Sequence, residues 1–351
     1  MANMAQSIRM ALHYGEKYLG VKDIFGQDVG APLGGVFTAT QGLETAWNSP
    51  LDERGIVGCA MGIALTGQRC VAEIQFCDYI FNTIDLLKMI GNNYWVTNGK
   101  YNLPLVLMTP VGAGIRGSVY HSHSFDAWAS RIPGWKIVIP SNPLDAYGLM
   151  ISAIQDPNPV LFLKPKALMR VRGKELIPGE PSDEKKLKSM IDAPIGDRSK
   201  WKPDWPKLEE YQVPIGEAKI TRQGDQLTIV SYGRSLPLCN EAADILLQEG
   251  YRIEVIDLRS IYPYDWKAIK KSVQKTHKLL VVNEDTEVTN FGEHIVYRAT
   301  TDLFYELYAR PKVLAGKNLP GIGLHPNLEE NTVPQIEDIR KCALEILQEK
   351  P

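Results

Sequence analysis

The amino-acid sequence predicts an α/β protein of two parallel or mostly parallel sheet domains, each covered by helices. Three observations carry this reading. Apolar strand signals alternate with helical ones through the first half of the chain, the alternation breaks over residues 173–211, and it then resumes to the carboxyl end. Alternating strands and helices argue for parallel sheets buried on both faces. With 351 residues and 44% hydrophobic content the chain can fill two cores, since single cores stop growing beyond about 250–300 residues.

In order, residues 7–19 read as a helix and 22–25 as a short strand ending at Gly26. Small residues recur through 55–65 (Gly55, Gly58, Ala60, Gly62, Ala64), so a helix there approaches another backbone closely. Residues 70–74 read as a strand, 81–90 as a helix, 105–109 as a buried strand closed by Pro110, and 135–140 as another strand. A helix over 144–154 stops at Asp156-Pro157, because proline disfavours helix at the preceding residue. A strand at 160–163 completes a first domain, 1–172. Residues 173–211, rich in Lys, Asp, Glu, Pro and Trp without sustained periodicity, read as a linker packed on a neighbouring subunit. The second domain, 212–351, holds strands at 226–231, 252–257 and 277–283 and helices at 236–249, 265–276, 291–308 and 336–348.

A net charge of −2 with mixed signs leaves no electrostatic footprint for nucleic acid or an anionic membrane. No run reaches the roughly 18 apolar residues of a membrane span. The amino-terminal stretch lacks an apolar segment with a small-residue cleavage site, so export is not expected. Five cysteines, an odd count without a C-x-x-C pair, read as buried reduced thiols in a reducing compartment.

The candidate chemistry is concentrated between residues 51 and 124. Glu53 stands between Pro50 and a glycine-rich helix, beside Ile56 and Val57. Partial desolvation there strengthens a carboxylate's hydrogen bonds; the plain alternative is an exposed acid stabilised by a helix dipole. His121 and His123, in Tyr120-His-Ser-His-Ser124, follow a strand at the end where parallel sheets bind ligands. They suit proton transfer near neutral pH, or simple loop capping. No Cys- or acid-rich stretch completes a zinc set with them. Gly112-Ala-Gly-Ile-Arg-Gly117 matches a dinucleotide fingerprint in letters only: no apolar helix follows at once, and the later acidic position is apolar. Its glycines are expected to let backbone approach a ligand closely. Asn92-Asn93 is similar to the tail of a thiamine diphosphate–magnesium motif, without the preceding Gly-Asp-Gly.

Over nearly its whole length the chain resembles the β subunits of the thiamine-diphosphate-dependent decarboxylating component of 2-oxo acid dehydrogenase complexes. The resemblance is carried by Gly26-Gln-Asp-Val29, Gly34-Gly-Val-Phe37, Glu53-Arg-Gly-Ile-Val-Gly58, Ala72-Glu-Ile-Gln-Phe76, Asp78-Tyr-Ile-Phe81 and Tyr120-His-Ser122. Farther on come Asp156-Pro-Asn-Pro159, Asp257-Leu-Arg259 and Pro326-Asn-Leu-Glu329 with Pro334. The Ala-Glu-Ile-Gln-Phe wording is closest to the branched-chain, 2-oxoisovalerate type.

This resemblance implies a transketolase-like architecture, with a pyrimidine-binding domain followed by a carboxy-terminal domain. It implies oxidative decarboxylation of a branched-chain 2-oxo acid, with the acyl unit passed to lipoyl groups of an acyltransferase component. Pyruvate or acetoin as substrate, or a non-catalytic assembly scaffold, are the alternatives. A separate α subunit, in an α2β2 heterotetramer, is expected to supply the diphosphate and Mg2+ motif missing here. By the same analogy Glu53 hydrogen-bonds the cofactor's aminopyrimidine nitrogen and so promotes its carbanion chemistry. Tyr79 and Gln75 line the cofactor, with Phe76 and His123 beside the substrate and His121 assisting acyl transfer; Tyr79 reads equally as a half-buried core aromatic. Potassium is implied at Leu103, Leu105, Val106, Ala153, Asp156 and Asn158, where a simple turn is the other reading. The family implies a cytoplasmic location in a bacterium or the mitochondrial matrix in a eukaryote. Three departures stand out: Gln27 where the family has glutamate, the polar Asn283-Glu-Asp-Thr-Glu287, and the long 173–211 connection. The last two bear on subunit contacts more than on chemistry.

Overall fold

The computed structural model describes residues 1–198 and 200–349. The chain opens with α1 (Met4–Tyr18), β1 (Val21–Gly26), β2 (Ala46–Asn48), α2 (Glu53–Leu65) and β3 (Arg69–Glu73). A 3-10 turn at Cys77–Thr83 leads into α3 (Ile84–Val96), β4 (Leu105–Val111), α4 (Asp126–Ala129), β5 (Lys136–Val138), α5 (Pro143–Gln155) and β6 (Val160–Pro165). Next come α6 (Glu184–Ile191), β7 (Lys219–Arg222), β8 (Leu227–Ser231), α7 (Ser235–Gln248), β9 (Ile253–Asp257) and β10 (Ser260–Tyr262). The chain closes with α8 (Trp266–Thr276), β11 (Leu279–Thr286), α9 (Phe291–Asp302), β12 (Lys312–Gly316), α10 (Pro326–Glu330) and α11 (Ile336–Gln348). Contacts group it into two compact units: Met1–Pro110 with Ala129–Ile215, and Val111–Trp128 with the chain from Gly216 onward.

In the first unit the strands run in the order β5–β6–β4–β3–β1–β2. β1 pairs in parallel with β2 and β3, β3 with β4, and β5 with β6. All seven residues of β4 are buried, as a parallel strand covered on both faces requires. α1 opens with a reciprocal Asn3–Gln6 capping box and lays Met4, Ile8, Ala11 and Leu12 into the same core as Ala146, Leu149, Met150 and Ala153 of α5. The register sets Gly26 opposite Glu73 and Glu73 opposite Met108, so the segments after β1 and β3 emerge side by side. Glu73 forms an ion pair with Lys164 of β6, both fully buried, and accepts the Val36 N–H at 2.9 Å.

The second unit has strand order β12–β11–β8–β9–β7, parallel except for β7 against β9. α7 buries Leu236, Cys239, Ala243 and Leu246 with Ile339, Ala343 and Ile346 of α11, whose 3.6-residue periodicity is plain in the sequence.

Several expectations need correction. The helix expected at 81–90 begins as a 3-10 turn and becomes α-helical only at Ile84, and the helix expected over 291–308 ends at Asp302. Among the strands without a clear sequence signal, β2, β7 and β12 are sheet edges and only partly buried, so they lack the apolar run that marks the inner strands. The 173–211 connection contains α6, and packs Leu187 and Ile191 into the core of its own first unit. Two apolar residues per inner face are too few to register as helical periodicity. All five cysteines are free thiols; Cys59 is exposed, against expectation, while burial pushes Cys70 and Cys239 up to about 12.

Candidate active site

α2 starts at Glu53, directly after Asp52, whose carbonyl accepts the Ile56 N–H at 2.9 Å. That position fixes the Glu53 carboxylate at the helix's positive end. Glu53 is half-buried, and its Oε2 accepts from Asn82 Nδ2 at 3.3 Å. Tyr79 lies in the 3-10 turn that packs on α2, with its ring edge-on to Phe76 at 6.0 Å and 81°. Its phenol is pushed up by burial first, then by the charges of Asp78 and Glu53. Gln75 leaves β3 beside the end of β1, and its Nε2 donates to the Gln27 carbonyl at 3.3 Å and to Asp28 Oδ2 at 3.2 Å. The first unit thus gathers Glu53, Gln75, Phe76 and Tyr79, and adds Asn82 and Asp28, which sequence reading missed. Asp28 sits within Gly26-Gln-Asp-Val29 and Asn82 directly follows Asp78-Tyr-Ile-Phe81, but a short polar residue in a turn carries no signal of its own. Glu53 forms no ion pair among the described residues; a half-buried carboxylate beside aromatic rings and a neutral amide fits a nitrogen heterocycle.

His121 and His123 belong to the second unit, on the loop between β4 and α4. Residues of the polar 283–287 stretch hold this loop in place. Ala113 N–H donates to Glu284 Oε2 at 2.8 Å, and Ala127 N–H to Asp285 Oδ2 at 3.3 Å. Gly114 and Arg116 N–H groups share Glu329 Oε2 at 2.9 and 3.1 Å. Ser118 N–H reaches the Ile322 carbonyl at 2.8 Å, and Ile322 N–H reaches Ser122 Oγ at 3.2 Å. The close approach expected of the Gly112–Gly117 glycines is therefore to two carboxylates of the same chain: a Cβ built at Gly112 would lie 2.0 Å from Glu284 Oε1. Asp126 and Asp285 are both at least nine-tenths buried, and Asp126 Oδ1 has no hydrogen-bond partner. Burial, then Asp285, then Glu284 push the Asp126 carboxyl well above the usual range. Burial also raises Asp285, opposed by the Thr286 and Ala127 N–H groups and by the charge of His123. Sequence reading missed this acid pair because its members lie 159 residues apart (285 − 126).

The six positions marked for potassium fall on two segments. Leu103, Leu105 and Val106 enter β4, where Leu105 N–H reaches the Leu103 carbonyl at 2.8 Å. Ala153 lies in the last turn of α5, Asp156 caps it, and the Asn158 N–H donates to Asp156 Oδ1 at 2.9 Å. Arg69 donates to the carbonyls of Ile154 and Asp156 at 2.8 and 3.5 Å, and Lys136 forms an ion pair with Asp156. Asn158 Oδ1 is buried without a partner. Arg69, Asn102, Pro104 and Pro157 line a cavity of about 460 Å³ beside these segments. Carbonyl and amide oxygens suit a hard cation, while Arg69 already donates to the Asp156 carbonyl and Lys136 already pairs with its carboxylate.

Residues 22–172 match the transketolase pyrimidine-binding domain and residues 216–339 the transketolase C-terminal domain. The chain is 34% identical over 315 residues to the 2-oxoisovalerate dehydrogenase subunit beta of Bacillus subtilis (strain 168), covering 88% of this chain and 86% of that one. It is also 34% identical over 300 residues to the pyruvate dehydrogenase E1 component subunit beta of Acholeplasma laidlawii, covering 84% and 82%. A solved structure described as a split gene transketolase, an inactive beta4 tetramer, superposes with a TM-score of 0.73 at 16% identity over all of both chains, which establishes the transketolase-like fold. With two transketolase-type domains matched in order and 34% of the aligned residues identical to each of these subunits, the chain belongs to the β-subunit family of thiamine-diphosphate-dependent 2-oxo acid dehydrogenases.

Proposed function

We propose that this chain is the β half of a decarboxylase that acts, together with an α subunit in an α2β2 assembly, on a branched-chain 2-oxo acid. The observation that carries the reading is the placement of Glu53: half-buried, at the first turn of α2, among Tyr79, Asn82 and aromatic walls. Bound thiamine diphosphate supplies the carbanion chemistry that decarboxylation of a 2-oxo acid requires. Glu53 holds a proton at the pyrimidine ring nitrogen, where its ionisable oxygen accepts the hydrogen bond that an aromatic nitrogen offers once protonated. Tyr79 and Phe76 exclude water beside it, and Gln75, held by Asp28 and Gln27, orients its amide along the same wall. His121 donates a proton as the acyl group moves to a lipoyl dithiolane on the acyltransferase component, and His123 supports it.

Mg2+ is held by the α subunit, and K+ by the carbonyls of Leu103, Leu105, Val106, Ala153, Asp156 and Asn158. The acyl acceptor and the need for an α subunit follow from the family's division of labour. The substrate side chain is the finer question: branched-chain and pyruvate relatives are equally similar, and one methylene in a pocket shifts binding by only about 1–3 kcal/mol.

The deciding experiment co-expresses the chain with candidate α subunits and follows reduction of an artificial electron acceptor across a panel of 2-oxo acids. Branched-chain acids are expected to give the highest kcat/KM. Glu53→Gln is expected to assemble normally while losing about 100-fold or more in turnover. Unchanged turnover in Glu53→Gln removes Glu53 from that role, and assembly without turnover of any 2-oxo acid favours the scaffold reading instead.

A further inference from the structure

The 173–211 connection is a fixed roof over the first unit. Arg9, buried under it, forms an ion pair with Asp192, and its Nη1 donates to Gln41 Oε1 at 3.1 Å and to the Ile191 carbonyl at 2.9 Å. Ala193 N–H reaches the same Gln41 oxygen at 3.1 Å. Farther along, Asp204 N–H donates to the Met190 carbonyl at 2.8 Å, and Trp205 stacks on His13 with ring centroids 4.1 Å apart. Beneath this roof opens a cavity of about 980 Å³ that contains none of the residues assigned to the cofactor.

Its lining is of three chemical kinds. Trp201 and Trp205 are half-buried indoles held in place, one by the stack on His13 and the other against Gly42, where a built Cβ would lie 3.0 Å from the Trp201 ring. Arg198 and Lys202 set two exposed cations at the rim. Glu44 and Asp197 supply carboxylates, and Gln41, 8% exposed, spends its oxygen on Arg9 and Ala193, which leaves its amide nitrogen to the cavity it lines. An apolar guest leaves the charged rim unused, and a bare anion meets two carboxylates and gains nothing from the indoles. A nucleotide uses all three. Its base stacks on an indole face, its ribose diol donates to a carboxylate, and its phosphates take Arg198 and Lys202. The volume lies within the roughly 300–1,000 Å³ of small-molecule sites.

We propose that this cavity is a binding site for a nucleoside di- or triphosphate, walled by Trp201 and Trp205 and closed at its charged rim by Arg198 and Lys202. The site shares no residue with the Glu53 group and stands independently of the 2-oxo acid reading.

The test is equilibrium titration of the full chain with ATP, ADP, adenosine and pyrophosphate, followed by tryptophan fluorescence and by calorimetry. ATP and ADP are expected to bind saturably, with adenosine and pyrophosphate each about tenfold weaker or more. Trp201→Leu is expected to weaken ATP by about tenfold and to remove most of the fluorescence change. Lys202→Gln, at an exposed position that leaves the fold intact, is expected to weaken ATP and leave adenosine unchanged. Glu53→Gln should bind ATP like the parent chain. Three results overturn the proposal: no saturable binding, pyrophosphate binding as tightly as ATP (an anion patch only), or both cavity variants binding ATP like the parent. Loss or retention of 2-oxo acid turnover changes none of these readings.

Discussion

The role proposed for Glu53 rests on its position. A glutamate is ordinarily a solvated charge, but at the first turn of α2 it meets Asn82 and Tyr79 and forms no ion pair among the described residues. His121 is the complementary case, since a loop histidine depends on what holds the loop. Here Glu284, Asp285 and Glu329 hold it through backbone N–H groups. His121→Gln is expected to lower lipoyl-linked turnover of the assembled enzyme by about 10²–10⁴ and dye-linked decarboxylation by much less. Parallel assays with lipoyl domain and with dye check this; an equal loss in both sinks the acyl-transfer role. The motifs around Glu53, Gln75, Phe76, Tyr79 and His121 were legible because short strings of fixed chemistry survive in the letters. Asp126 and Asp285 were not legible, since two acids distant in sequence carry no mark of the shared pocket.

Among the elements, the Lys164–Glu73 pair ties β6 to β3, and Glu73 also caps the loop at Val36. Both side chains are fully buried, so the pair matters chiefly through what its loss leaves behind. Glu73→Gln keeps the acceptor for Val36 but strands a buried ammonium, and is expected to cost about 3–5 kcal/mol in chemical denaturation. Glu73→Gln paired with Lys164→Met removes both charges and is expected to recover much of that loss. A single variant as stable as the parent contradicts the assignment. Inner strands were legible from their unbroken apolar runs. Edge strands β2, β7 and β12 were not, because one exposed side dilutes the pattern.

At the scale of the whole molecule, two solution conditions test buried groups. In the folded second unit Asp126 and Asp285 both titrate above the usual carboxylate range, so the folded state holds more protons there than the unfolded chain. Their contribution to stability is fully present below the ordinary carboxylate pKa and is lost as pH rises through the raised values. Asp126→Asn, neutral at every pH, is expected to unfold at higher denaturant than the parent near pH 8 and to flatten the pH dependence. Urea titrations between pH 5 and pH 8 check this, and a parent chain steadily more stable toward pH 8 counts against the buried pair. Potassium is the second condition. If carbonyls at 103–106 and 153–158 hold it, replacing K+ by Na+ at equal ionic strength lowers the thermal midpoint, whereas equal midpoints remove the ion from this site. No helix among the described residues is long and apolar enough to cross a membrane.

The alternation of inner strands and long helices, the two-sheet α/β class and the family were determined by the sequence alone, because they rest on local periodicity and on short motifs, which need no knowledge of distant neighbours. Tertiary structure decided the rest. It turned an apparently structureless connection into a roof anchored by Arg9, Gln41 and His13, and it made the polar 283–287 stretch the clamp of the histidine loop. The physical reason is common to both. Burial and electrostatic pairing are set by residues far apart along the chain, and their energies exist only once folding has brought those residues within a few ångströms.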